Sequence, residues 1–284
     1  VAERALGARV PVGVAAGAST AAFASSGNAG VLSYSTLAIS NFQIFDSGGT
    51  QYSVGDFDVL EVGNFTKAEA ALNGTGVIGS HPSDVSLQCV GPSCAGIGQN
   101  NFAQQPLPLG QFSRADAQLI GAGISGVPNT PNSVTTTTVA EIQLNQVSEA
   151  TAGSNTGRGT RFSFSQANDD SLTFSFDADA TLRAMLEQDD VIAFAGVAWS
   201  LSILDAAGSS VFEFAPTGAG PGAPCSLNTS ISTLDDDDGL VEFGCSGSFT
   251  TTTPVLSAGQ NYTLSINHES SARGEVAFGA PVPE

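Results

Sequence analysis

The chain has one Lys, one Met, one Trp and three Tyr, and only 8 basic residues stand against 27 acidic ones, for a formal net charge of −19. A phosphate-binding surface needs clustered Lys and Arg, so nucleic acid is excluded as the principal partner and anionic membranes are disfavoured. Charged residues are scarce overall, at 12% against 41% apolar, so the acidity is not that of a charged disordered chain. No run of 18 strongly apolar residues is present, which excludes a helical membrane span. There are two His, His81 and His268, and no HExxH, G-x-S-x-G or P-loop pattern. Nothing singles out a pair of the many carboxylates for two-acid hydrolysis. The expectation is a protein that is not an enzyme.

What is abundant is Gly (33), Phe (17), Ser and Thr. From Gly30 the pattern is strand, turn, strand. Val31–Phe45 (VLSYSTLAISNFQIF) reads as a β-rich opening, and residues 56–62 as a short second strand. Residues 73–133 hold much Gly, Pro, Asn and Gln, and predict a long loop region with short strands. In residues 135–147, Ile142 and Leu144 alternate with Glu141, Gln143 and Asn145, as on a sheet with one wet face. Residues 160–177 predict a hairpin, with Phe162 and Phe164 on one arm, Leu172, Phe174 and Phe176 on the other, and turn residues 166–170 between. Residues 180–186 fit a strand better than a helix, because strands flank them. Residues 191–204 form a long strand placing Val197, Trp199, Leu201 and Ile203 on one face, so Trp199 reads as core and not as a sugar platform. Later strands are expected at residues 240–250, 261–268 and 274–278. The fold class expected is all-β: an antiparallel β-sandwich, jelly-roll-like, over residues 30–279.

Residues 1–29 differ from the rest. Arg4 and Arg9 precede a stretch in which Val10, Val12 and Val14 share one parity, continued by Ala16 and Ala18, with Phe23 beyond. Three readings stand side by side. The segment is a signal-peptide remnant, a strand donated to a neighbouring subunit's sheet, or a strand within its own domain.

Cys89, Cys94, Cys225 and Cys245 form an even set. Three pairings are open; Cys89–Cys94 across CVGPSC and Cys225–Cys245 around a Pro/Gly-rich loop are preferred. The spacings match no standard zinc site. Asp235, Asp236, Asp237 and Asp238 form the densest charge cluster, either a solvated turn or the candidate Ca²⁺ loop, with oxygen ligands but no EF-hand spacing.

The C-terminal residues Pro281, Pro283 and Glu284 (PVPE) look like the start of a Pro-Glu-Pro sorting signal. Together with LSYSTLAISNF, CVGPSCAGIGQNNF, FSRADAQLIG, FSFSQANDDSLTFSFDADATLRAML, WSLSILDAAGSSVFEF and LSAGQNYTLSINHES, this end resembles exosortase-dependent (PEP-CTERM type) bacterial surface proteins. The resemblance spans residues 31–284 and implies secretion, a cell-surface or biofilm-matrix location, and no catalytic motif to carry over. The functional expectation is an extracellular structural protein that assembles with copies of itself into filaments through the N-terminal strand. The other class is a matrix polysaccharide-binding, lectin-like module, with Ca²⁺ as its candidate cofactor.

Overall fold

A computed structural model describes residues 30–106, 111–122, 132–146, 148–164, 169–186, 191–218, 224–234 and 239–276. Thirteen strands are seen among them: β1 (Val31–Phe45), β2 (Phe57–Leu72), β3 (Thr75–His81), β4 (Asp84–Val90), β5 (Phe112–Gly121), β6 (Val134–Leu144), β7 (Ser148–Phe164), β8 (Thr173–Leu186), β9 (Val191–Asp205), β10 (Ser210–Phe214), β11 (Thr229–Leu234), β12 (Gly239–Thr252) and β13 (Tyr262–Val276). They form two sheets. The first has the order β12-β8-β1-β6-β5-β4, and the second β10-β9-β13-β7-β2-β3 with β11 also on β9. Every strand pairing is antiparallel. The expected all-β sandwich is what the chain forms.

Alternation explains the packing. Leu37, Ile39, Phe174, Phe176 and Leu182 project from the first sheet onto Trp199, Leu201, Ile203 and Leu264 of the second, and all are buried. Trp199 lies at the centre, its ring centroid 4.5 Å from that of Phe176 and 6.2 Å edge-on from Phe214. A second cluster, rich in Ala, fills the other end, where Ala68, Ala115, Ala140, Ala184 and Ala193 let the sheets approach closely.

Four details differ from the sequence expectations. Residues 160–177 are not a hairpin: β7 pairs with β2 and β13, whereas β8 pairs with β1 and β12, so their Phe-lined faces meet across the core. Periodicity fixes which face is buried but not which strand is the neighbour. Residues 73–133 hold three strands, β3, β4 and β5, and β5 is almost wholly buried. The second strand runs on to Leu72, and the two strands expected at residues 261–268 and 274–278 are one continuous β13.

The fourth difference concerns the wet face of β6. Glu141 and Gln143 do point away from the sandwich core, yet both are buried. Residues 98–106 cross the outer face of the first sheet and cover them. The strap begins at the Cys89–Cys94 disulfide, where Gly91 (φ 129°) approaches so closely that a Cβ would sit 2.3 Å from the Gln111 carbonyl oxygen. The Arg114 guanidinium then donates to the carbonyls of Asn101 and Ala103, both at 2.6 Å, while the Gln105 N–H donates to Glu141 Oε1 at 3.0 Å. The Tyr34 hydroxyl donates to the Phe102 carbonyl at 2.7 Å. Burial pushes the Tyr34 phenol up to about 12, with the Glu141 charge adding to it.

Candidate assembly surface

A sandwich has edges, and an edge strand presents unpaired N–H and C=O groups to any chain that can pair with them. Two long edges are open among the described residues. β12 pairs with β8 along its whole length and with nothing on its other side. β2 pairs with β7 from end to end, but β3 covers only residues 66–72 of its other side. Residues 58–65 of β2 therefore have no strand partner on that side among the described residues.

The reason lies in the corner after β3. Pro82 follows His81, removes a donor and ends the strand. His81 Nδ1 then accepts from the backbone N–H groups of Ser83 (3.3 Å) and Asp84 (3.2 Å), turning the chain into the opposite sheet as β4. Thr66 Oγ1 donates to the His81 carbonyl at 2.8 Å and locks the corner onto β2. β4 begins opposite Gln118, so neither β3 nor β4 extends along the end of the sandwich beyond this corner.

Exposure along β2 records the consequence. Its inward-facing residues under β3 are covered: Ala68 is 0%, Ala70 2% and Leu72 7% exposed. Val62 has the same parity and pairs with the buried Thr160, yet it is 44% exposed. On the same face, Asn64 Oδ1 of β2 and Thr156 Oγ1 and Thr160 Oγ1 of β7 are buried and have no hydrogen-bond partner among the described residues. Phe65, on the outer face, is exposed and lies across Gly157 of β7, where any Cβ would collide with its ring. Charges near this edge are sparse: Glu61 reaches Arg161 at 3.7 Å, and Asp58 is exposed.

A small cleft leads inward from this corner, lined by Ile39, Phe42, Leu119, Thr136, Thr156 and His268 among others. His268 is fully enclosed. Its Nε2 lies 2.9 Å from the Leu37 carbonyl, which can only accept, so Nε2 carries the proton. Nδ1 is then the acceptor for the Thr136 hydroxyl at 2.7 Å. Burial lowers the imidazole pKa to about 3, against the opposing pull of the Leu37 carbonyl, so the ring is neutral and structural.

The sequence-derived candidates divide as follows. The cysteines pair as Cys89–Cys94 and Cys225–Cys245. Val10, Val12, Val14, Ala16, Ala18, Phe23, the Asp235, Asp236, Asp237 and Asp238 run, and Pro281, Pro283 and Glu284 lie outside the described residues. Elsewhere, carboxylates serve turns. Asp177 accepts from Asn41 Nδ2 at 2.7 Å and Ser248 Oγ at 2.5 Å, which hold its carboxyl below the usual range. Asp170 accepts from the Tyr52 hydroxyl at 2.5 Å. No group of three or more His, Cys, Asp or Glu side chains is arranged to hold a metal ion among the described residues, and no helix there is long and apolar enough to cross a membrane.

Two features carry little or no signal in the sequence. The Arg114–Glu141 pair was visible only as two charges inside otherwise strand-like runs. The open half of β2 carried no signal at all, because an edge is a property of what fails to pair. No family model, curated protein or solved structure matches the chain.

Proposed function

We propose that this protein is an extracellular structural subunit of a bacterial surface or matrix, which assembles with copies of itself by strand addition. The observation that carries the reading is the open edge of β2, where Val62 is 44% exposed on the face that is closed elsewhere along the same strand. Backbone hydrogen bonds supply the affinity in such a contact, and alternate side chains supply the register. The donor is the N-terminal segment, in which Val10, Val12 and Val14 alternate with Pro11 and Gly13. A donor and an acceptor on opposite parts of one chain make a heterologous contact, which propagates as an open filament. The two disulfides suit an oxidising compartment. The Pro-Glu-Pro-like end and the resemblance of residues 31–284 to exosortase-dependent proteins support the same placement. The polysaccharide-binding alternative has one observation against it: the single Trp is buried.

Negative-stain electron microscopy of the full chain tests the proposal, beside a variant carrying Val10→Asp, Val12→Asp and Val14→Asp. Filaments in the parent and monomers in the variant are expected. Monomers in both, with sugar-dependent thermal stabilisation, would favour the polysaccharide-binding module.

A further inference from the structure

We infer that the acceptor of this assembly is the groove along residues 58–65 of β2, and that its occupant is residues 10–14 of a neighbouring copy. The inference rests on the assembly reading above and selects one of the two open edges over the other. β12 offers a longer edge, but strand addition there would only widen an existing sheet. At β2 an added strand continues the line of β3 and completes the outermost row of the seven-stranded sheet.

Three observations favour the β2 groove. The first is apolar exposure on the correct face. Val62 lies between Leu60 and Asn64, and these three alternate positions share the inward parity of the buried Phe162 and Thr160 to which Leu60 and Val62 pair. Val10, Val12 and Val14 offer three apolar side chains at the same two-residue spacing. Centred on one another, Val12 falls opposite Val62 whichever direction the incoming strand runs. The second is incompleteness. Asn64 Oδ1, on β2 itself, and Thr160 Oγ1, on β7 opposite Val62, are buried and have no partner among the described residues. A buried polar atom left unpaired costs about 1–3 kcal/mol, so a segment that closes the groove and holds water against Asn64 Oδ1 is favoured there. The third is charge. Residues 1–29 carry Arg4 and Arg9 against a lone Glu3, whereas the chain as a whole is at −19 and Asp58 is exposed at the groove rim, where Glu61 is matched by Arg161. A net-basic segment therefore meets an acidic chain.

Reach is sufficient. Fifteen residues separate Val14 from Gly30, and an extended chain covers roughly 3.3 Å per residue, or about 50 Å. That is long enough to leave one subunit and enter the next.

The test uses the full chain with Val12→Cys and Val62→Cys together, oxidised under native conditions and analysed on a non-reducing denaturing gel with mass spectrometry of the linked peptide. A ladder of covalent oligomers containing the 12–62 link is expected. A monomer closed on itself through that link overturns the inference, because the arm then fills its own groove. Filaments without the link, or an equal ladder from Val12→Cys with Val241→Cys on β12, also overturn it while leaving the assembly reading intact. Absence of oligomers in the unsubstituted parent overturns the assembly reading itself. A second variant, Val62→Lys, introduces a charge at the solvent-exposed edge and is expected to retain the parent's melting temperature while losing filaments. Filaments at parental abundance in that variant overturn the groove.

Discussion

Arg114 and Glu141 meet at 2.5 Å with neither side chain exposed, on the outer face of the first sheet and beneath residues 98–106. Burial pushes the Glu141 carboxyl up, and Arg114 with the Gln105 N–H opposes it. Charges taken out of water repay the cost only when every partner is in place. Here Arg114 Nε and Nη2 both donate to Glu141 Oε2, and Gln143 Nε2 donates to Oε1 at 3.1 Å. Glu141→Gln is therefore expected to cost about 3–5 kcal/mol, because it strands a buried guanidinium. Arg114→Met with Glu141→Leu should recover part of that loss. Urea unfolding of the parent, the single variant and the double variant checks the order. A single variant as stable as the parent would show that the strap is held by its backbone contacts alone.

His268 makes the sandwich acid-sensitive. Its folded-state pKa is about 3, below the ordinary value of 6.5. The unfolded chain therefore binds a proton that the folded chain refuses between those pH values, and stability falls as pH drops through that window. The slope is at most about 1.4 kcal/mol per pH unit. Buried Asp116 and Glu141, whose carboxyls burial pushes up, act in the opposite sense. The difference between parent and His268→Gln isolates the imidazole. Chemical denaturation from pH 7 to pH 4 should show the parent losing stability relative to the variant. Parallel curves would mean that His268 protonates in the folded state without penalty.

Trp199 is a packing residue. It is buried against Phe176, and its backbone N–H and carbonyl exchange hydrogen bonds with the Asn228 side chain, at 3.2 and 2.8 Å. Trp199→Ala is expected to cost about 3–5 kcal/mol, read as a fall in unfolding midpoint. A variant that keeps its stability but loses carbohydrate binding would instead make Trp199 a binding residue.

The faces of the strands were legible in the sequence and their neighbours were not. Val197, Trp199, Leu201 and Ile203 are buried together because alternation fixes parity. Phe162 and Phe174 satisfy the same rule whether they share a hairpin or face each other across the core, and turn-forming residues between them do not decide between the two. The polarity of Glu141 and Gln143 predicts a wet face, yet a strap 36 residues earlier covers Glu141. The disulfide pairs were legible because short loops close most readily. The open half of β2 was not, since it follows from where Pro82 stops β3.

The two disulfides are expected to contribute unequally. Cys225 sits in the segment between β10 and β11, held there by the Leu227 N–H donating to the Pro216 carbonyl at 2.9 Å, while Cys245 is on β12 of the other sheet. The bond therefore staples the two sheets and closes a loop of 20 residues, whereas Cys89–Cys94 closes one of 5. In the chain-entropy account, loops of those sizes are worth about 3 and about 2 kcal/mol. Cys225→Ala with Cys245→Ala should therefore lower stability by about 3 kcal/mol and loosen the edge along β12. Cys89→Ala with Cys94→Ala should cost less globally, but it frees the start of the strap. Hydrogen exchange separates the two: faster exchange at β12 and β8 in the first variant, and at residues 98–106 in the second. Equal global losses with exchange changes confined to the strap in both would contradict the inter-sheet role of Cys225–Cys245.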